Sequence, residues 1–176
     1  MNLVQKSPEV FLAEGPIAAI GDADIEVLKS ALAKSPRGRV RINAHLSDDD
    51  RLHEMIIAFR PDSYLQPHMH PNKSESFHII YGAVDIVVFE DDGRVRRVIP
   101  LGAGDPQRAF FYRMSKPFFH TLLIRSDPLV IHEITNGPFQ PGDTVYASFA
   151  PAASDAAASA AYQAALLRKV DAMRGA

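Results

Sequence analysis

The stretch Pro67-His68-Met69-His70-Pro71-Asn72-Lys73-Ser74-Glu75-Ser76-Phe77-His78-Ile79-Ile80-Tyr81-Gly82 decides how this chain is read. Two histidines stand two residues apart, so on a strand both imidazoles point to one face. Pro71-Asn72-Lys73-Ser74 consists of turn formers. The turn returns Glu75 on a neighbouring strand, where its carboxylate can meet the same point. Two neutral imidazoles and a carboxylate suit Fe, Mn, Ni, Zn or Cu. With 7 histidines in 176 residues, a His-x-His pair alone arises by chance in roughly a quarter of such chains. Glu75 at the fifth place after the pair, and Gly82 seven beyond it, make an accident rare. The plain alternative is a surface loop with two solvated histidines.

His-x-His, four residues, Glu, six residues, Gly resembles the first motif of the cupins. Asp62 stands in place of that motif's leading Gly. Of the second cupin motif only His120 is present, without Pro-x-Gly, and Ile124 replaces the expected Asn. A closer resemblance runs from about residue 37 to residue 151. Its residues are Arg39-x-Arg41-x-Asn43-x-His45, Pro67-His68-x-His70-Pro71-x-Lys73-x-Glu75-Ser76-Phe77-His78, Phe111-Tyr112-Arg113, His120-Thr121 and His132-Glu133-x-Thr135-Asn136-Gly137-Pro138-Phe139. These are similar to the WbuC family of cupin-fold metalloproteins, which is associated with O-antigen and surface-polysaccharide gene clusters and has no well-defined activity.

The resemblance implies an all-β fold: a single cupin (double-stranded β-helix, jelly-roll) barrel with flanking N- and C-terminal helices. It divides the chain into an arm and helix over 1–36, a barrel over 37–151 and an Ala-rich helix over 152–176. It also implies one divalent transition metal (Fe, Mn, Ni or Zn) held by His68, His70, Glu75 and His120. His120 shares its strand face with Leu122 and Ile124, and a lone histidine there is more often a hydrogen-bonded core residue. Beside a complete His-x-His…Glu set it reads as the fourth ligand. Four protein ligands on an octahedral-leaning metal leave two positions for water, dioxygen or substrate; on tetrahedral Zn they leave none.

Bulk properties bound the rest. A chain of 176 residues, 47% hydrophobic, is sized for one domain with a sizeable core. A net charge of −2 argues against nucleic acid or a membrane surface as partner. No apolar run reaches the length of about 18 residues that a spanning helix needs. Residues 1–20 carry Glu9 and Glu14 and lack a cleavable-signal pattern. The absence of cysteine excludes disulfides and thiolate ligands. A cytoplasmic protein fits these facts.

Along the chain, residues 1–21 read as an irregular arm or short strand, and Asp22 to Lys34 as a helix stopped by Ser35-Pro36-Arg37-Gly38 and covering one end of the barrel. Arg39 to Leu46 alternate strictly, placing Arg39, Arg41, Asn43 and His45 on one face. That strip is either a solvated face or a binding surface for an anionic or sugar-like ligand, since Arg offers a planar fork to carboxylate or phosphate. His53 to Phe59 is a strand feeding the metal motif. Phe77, Ile79 and Tyr81 continue the face of Glu75. Val84 to Phe89, Arg94 to Leu101, Ala109 to Arg113, Phe118 to Ile124 and Leu129 to Thr135 are further strands, with Asp91-Asp92-Gly93 a hairpin turn. The Ala-rich end from Ser154 is a helix that packs on the barrel or on a partner subunit.

Around the metal, Tyr112, His132 and Glu133 are candidate catalytic groups. His132 and Glu133 point to opposite faces, so at most one faces the metal. Lys73 and Arg113 join Arg39, Arg41 and Asn43 as candidate ligand-binding residues; Lys73 reads equally as a solvated turn lysine. Two functions follow. One is a metal-dependent enzyme, an isomerase, epimerase or dioxygenase, acting on a sugar or nucleotide sugar in surface-polysaccharide metabolism. The other is a non-catalytic cupin whose metal is structural or anchors a small ligand. The terminal segments suit a homodimer.

Overall fold

A computed structural model of the chain describes residues 2–175. Its strands are β1 (Leu3–Ser7), β2 (Val10–Ala13), β3 (Arg39–Asn43), β4 (Leu52–Phe59), β5 (His68–Met69), β6 (Glu75–Tyr81), β7 (Ala83–Phe89), β8 (Val95–Gly102), β9 (Phe111–Met114), β10 (His120–Ile124), β11 (Leu129–Asn136) and β12 (Val145–Tyr146). Its helices are α1 (Asp22–Leu32) and α2 (Ala156–Gly175). One sheet runs β1-β2-β3-β4-β11-β6-β9 and the other β12-β5-β10-β7-β8. Within them, β4-β11-β6-β9 and β5-β10-β7-β8 have the strand order of a double-sheet jelly roll, in which successive strands alternate between the sheets except for the β7–β8 hairpin.

Alternation assigns each sheet two faces. The inner faces contribute Met55, Ile57, Phe59, Phe77, Ile79, Val84, Ile86, Leu122, Leu129 and Ile131 to one core between the sheets. The outer face of the first sheet buries Val40, Ile42, Ile56, Ala58 and Val130 beneath Ile25, Leu28 and Leu32 of α1. The outer face of the second buries Val87, Phe89 and Leu123 beneath Leu166 and Val170 of α2. Each helix therefore roofs a sheet. α1 covers a face and not a barrel end, because its apolar stripe meets the outward side chains of β3 and β4.

Four readings of the sequence change. The first residues form a hairpin, β1–β2, whose second strand pairs in parallel with β3 and widens the sheet. β3 stops at Asn43, and His45 turns inward to stack on His53 with ring centroids 4.2 Å apart. The strand expected from Phe118 begins at His120, because Ser115 to Phe119 form the link between β9 and β10. Tyr81 leaves the inner face: the β6–β11 register slips between Val130 and Ile131, so a bulge reverses the alternation and Tyr81 meets Lys29 of α1, with Nζ 5.0 Å from the ring centroid.

Candidate metal centre

The site is built where β5, β10 and β6 begin or end. His120 pairs directly with His68 across the β5–β10 ladder, so both side chains leave the same face. Their ring centroids are 4.6 Å apart. His70 follows two residues after His68, on the same side. One nitrogen from each of His68, His70 and His120 lies within 4.8 Å of the others.

Hydrogen bonds identify those nitrogens. His68 Nδ1 lies 2.9 Å from the Gln66 carbonyl, His120 Nδ1 3.0 Å from that of Phe118 and His70 Nδ1 3.0 Å from that of Asp143. A carbonyl only accepts, so each Nδ1 carries the proton and donates it. The lone pair of each neutral ring is then on Nε2. His120 Nε2 is buried without a hydrogen-bond partner. Three converging lone pairs, one of them orphaned, fit a divalent cation.

Glu75 completes the floor. Its Oε1 is 3.0 Å from His120 Nε2, though not aligned for a hydrogen bond, and its Oε2 is 3.7 Å from His70 Nε2. The Tyr112 hydroxyl donates to Oε1 at 2.7 Å. Burial pushes the Glu75 carboxyl up, but His120 and the Tyr112 hydroxyl outweigh it and bring the pKa down to about 2. Burial and the neighbouring Glu75 push the Tyr112 phenol far above its usual range, so it stays a donor. Burial and His120 lower His68 to about 4, leaving its ring neutral at pH 7. Without a cation, burial would lower the pKa of His120, but Glu75 raises it overall. A metal ion held by these residues would supply that positive charge in place of the proton.

Glu133 faces the same interior. On β11 it pairs with Met55 on one side and Phe77 on the other, and Phe77 pairs with Tyr112. Burial and the Glu75 carboxylate raise Glu133 to about 7, against the pull of Arg41, His120 and Arg39. His132 leaves the opposite face of β11, half-exposed, with Nε2 3.6 Å from Glu54 Oε1. It is not brought to the imidazole cluster. Arg113 is exposed on the outward side of β9.

Arg41 and Asn43 of β3 face inward, since Val40 and Ile42 are buried under α1, whereas Arg39, at the start of the strand, is exposed. Arg41 Nε and Asn43 Oδ1 are buried without partners. Tyr146 of β12 lies on this side, its ring centroid 6.2 Å from that of His68. On the other side, a depression of about 170 Å³ is lined by His70, Lys73, Glu75, Met114, Lys116, Pro117 and His120. Lys73 lies at its edge, but its ammonium is 2.8 Å from Asp143 Oδ2 and donates to the Pro138 carbonyl at 3.1 Å.

The fold is cupin-like. A family model described as a domain of unknown function (DUF6016) matches residues 20–101. No protein of curated function matches the chain. Among solved structures it is similar to Bacillus subtilis oxalate decarboxylase, a protein with Mn(II) centres, at 24% identity and a TM-score of 0.44 over 55% of this chain and 24% of that one. A formate complex of Lactobacillus farciminis oxalate decarboxylase is similar at 19% identity and a TM-score of 0.43, over 55% and 27% of the two chains. An oxalate oxidase in complex with glycolate is similar at 14% identity and a TM-score of 0.46, over 64% and 56%. The matched region is only about a quarter of each decarboxylase's length.

The site also uses residues to which the sequence reading gave no role there: the Gln66, Phe118 and Asp143 carbonyls, Tyr146, and Lys116 at the rim. Gln66 and Phe118 each stand two residues before a histidine, a spacing visible in the sequence. Asp143 lies 73 residues from His70 and gave no local signal.

Proposed function

We propose that this chain is a metal-dependent enzyme of the WbuC kind. Its substrate is a small carbohydrate-derived molecule, a sugar or nucleotide sugar, in surface-polysaccharide (O-antigen) metabolism, and its reaction is isomerisation, epimerisation or dioxygenation. The observation that carries this reading is the convergence of three imidazole lone pairs beside Glu133, an inward-facing acid with a pKa of about 7. His68, His70 and His120 hold the metal with Glu75. When bound, the metal supplies Lewis acidity or, as Fe(II), reactivity toward dioxygen.

The chain's own groups divide the remaining work. Tyr112 holds Glu75 Oε1 and so fixes the carboxylate. Glu133 takes or gives a proton, which its near-neutral pKa permits in both directions. Arg39, Arg41 and Asn43 bind the ligand's anionic or hydroxylated end; the unpaired Arg41 Nε and Asn43 Oδ1 gain partners when a ligand draws them inward. The protein works in the cytoplasm as a homodimer. Among the described residues, no helix is long and apolar enough to cross a membrane.

A second reading, a non-catalytic cupin with a structural or ligand-anchoring metal, is favoured by one observation. The depression beside His70, Glu75 and His120 holds only about 10 Å³ of enclosed space, room for about one water molecule and far short of an ordinary ligand pocket. The Co(II)-loaded protein separates the two. Nucleotide sugars and sugar acids that perturb the visible spectrum, and lose that effect in Arg41→Gln, support the enzyme. A spectrum indifferent to every such compound supports the second reading.

A further inference from the structure

The three imidazoles are not held alike. The carbonyls that orient His68 and His120 belong to the links that lead directly into β5 and β10, two residues upstream of each ring. The carbonyl that orients His70 belongs to Asp143, on the strap of residues 137–144 between β11 and β12. That strap is tied down at several points. The Gly137 amide donates to the Arg51 carbonyl at 3.0 Å, and the Phe139 amide to that of Asp48 at 2.8 Å. Just before it, the Asn136 side chain accepts from the Ser74 amide at 2.8 Å.

At Asp143 itself the anchor is ionic. The carboxylate accepts from the Gln140 amide at 2.7 Å and meets Lys73 Nζ at 2.8 Å. Lys73 also donates to the Pro138 carbonyl, and its ammonium lies 5.9 Å from the Phe139 ring centroid. Both side chains of the pair are largely shielded, at 9% and 14% exposure. Two of the three hydrogens of the Lys73 ammonium are taken by the strap, at the Asp143 carboxylate and the Pro138 carbonyl. Lys73 also stands in the turn that joins His70 to Glu75. The ion pair therefore closes a ring: His70 to the Asp143 carbonyl, the Asp143 carboxylate to Lys73, and Lys73 back along the turn to His70.

We propose that Lys73 is a positioning residue for the metal, acting through Asp143 to hold the His70 imidazole on its tautomer and bearing. This rests on the metal-centre reading above. Groups that orient a metal-bound imidazole from behind are typically worth about 10–100-fold in metal affinity. A shielded ion pair that sets the carbonyl's place acts one bond further back, which puts the expectation near the lower end.

The test is a titration of the metal-free full-length chain with Mn(II), reading free Mn(II) by electron paramagnetic resonance, together with the visible spectrum of the Co(II) form. Lys73→Met is expected to weaken Mn(II) binding about 10-fold and to shift the Co(II) bands, while Lys73→Arg restores most of both. Asp143→Asn is expected to match Lys73→Met, and the double variant to be no worse than either single one, because both break one interaction. Unchanged affinity and spectrum in a folded Lys73→Met protein overturn the inference, as do additive losses in the double variant. If Lys73→Met does not fold, Asp143→Asn decides by the same criteria. A wild-type chain that binds no metal overturns the metal-centre reading itself, an outcome distinct from tight wild-type binding that Lys73→Met leaves untouched.

Discussion

His68 and His120 differ from His70 in where their support comes from, although all three reach one point. The first two are braced by the backbone that carries them, across a single pair of the β5–β10 ladder. Once that ladder forms, both rings are aimed. His70 lies just past the end of β5 and depends on a strap contributed 73 residues later. The jelly roll thus supplies two-thirds of the imidazole cluster through sheet pairing alone and the remainder through a loop. Loops tolerate change more readily than paired strands, so this is the part of the site through which affinity can be adjusted without disturbing the barrel.

The largest effect expected is from the ligands. His68→Ala, His70→Ala or His120→Ala each abolishes stoichiometric metal in protein purified and assayed by elemental analysis. Near-normal metal in both the His68 and the His70 variants would dissolve the comparison, since neither ring would then be holding anything.

Gly137→Ala strikes the strap alone. A Cβ at this position would come 1.8 Å from the Asp50 carbonyl oxygen and 2.7 Å from His53 Nε2, and the first of these is backbone that cannot move aside. The strap must shift, taking Asp143 with it. We expect Mn(II) affinity to fall about 10-fold, with a loss of stability of about 2 kcal/mol measured by urea denaturation. Lost stability with unchanged affinity would show that His70 does not need the strap.

Tyr112→Phe acts on Glu75 and should spare the imidazoles. The phenol lowers the Glu75 pKa, so its removal raises it and lets protons compete with the metal at higher pH. Mn(II) affinity should drop a few-fold, and the loss should grow as the pH falls toward the raised Glu75 pKa. A loss that does not change as the pH is lowered would mean that Tyr112 acts by packing alone.

The smallest effect concerns Glu133. Its folded pKa, about 7, stands above the ordinary 4.5. The folded state therefore holds its proton more tightly than the unfolded chain, and the stability it contributes falls as pH rises from about 4.5 to about 7, then levels. Arg41→Gln removes a cation that lowers this pKa, so the decline should extend above pH 7; Glu133→Gln should flatten it. Melting temperatures of the metal-free protein across this range would show either result, and a profile identical in all three proteins would remove Glu133 from the account.

Much of the centre was legible because strands have a period of two. His68, His70, Glu75 and His120 could be placed on inward faces from alternation and one turn, and adjacency put His132 and Glu133 on opposite faces without saying which one turns inward. The same logic placed Val40 and Ile42 opposite Arg39, Arg41 and Asn43. It failed at Tyr81, where a bulge with no sequence mark reverses the alternation. It also could not see the strap. Asp143 reads only as the end of a Gln-Pro-Gly-Asp turn, and its two roles, a carbonyl to His70 and a carboxylate to Lys73, exist only after β11 and β12 are in place. Lys73 was equally opaque: a turn lysine beside metal ligands looks like a ligand-binding group or a solvated one, and its partner is distant in sequence. The N-terminal hairpin was only partly legible: Pro8, Gly15 and Pro16 left an irregular arm or a short strand open, and parallel pairing with β3 cannot be read from one strand.

The measurement that bears most directly on the central claim is the metal content of the protein purified without added metal, repeated after loading with Co(II) and removal of the excess. The account predicts one divalent metal ion per chain, bound by imidazole nitrogen and released by chelator together with uptake of a proton. No metal in either preparation would contradict it.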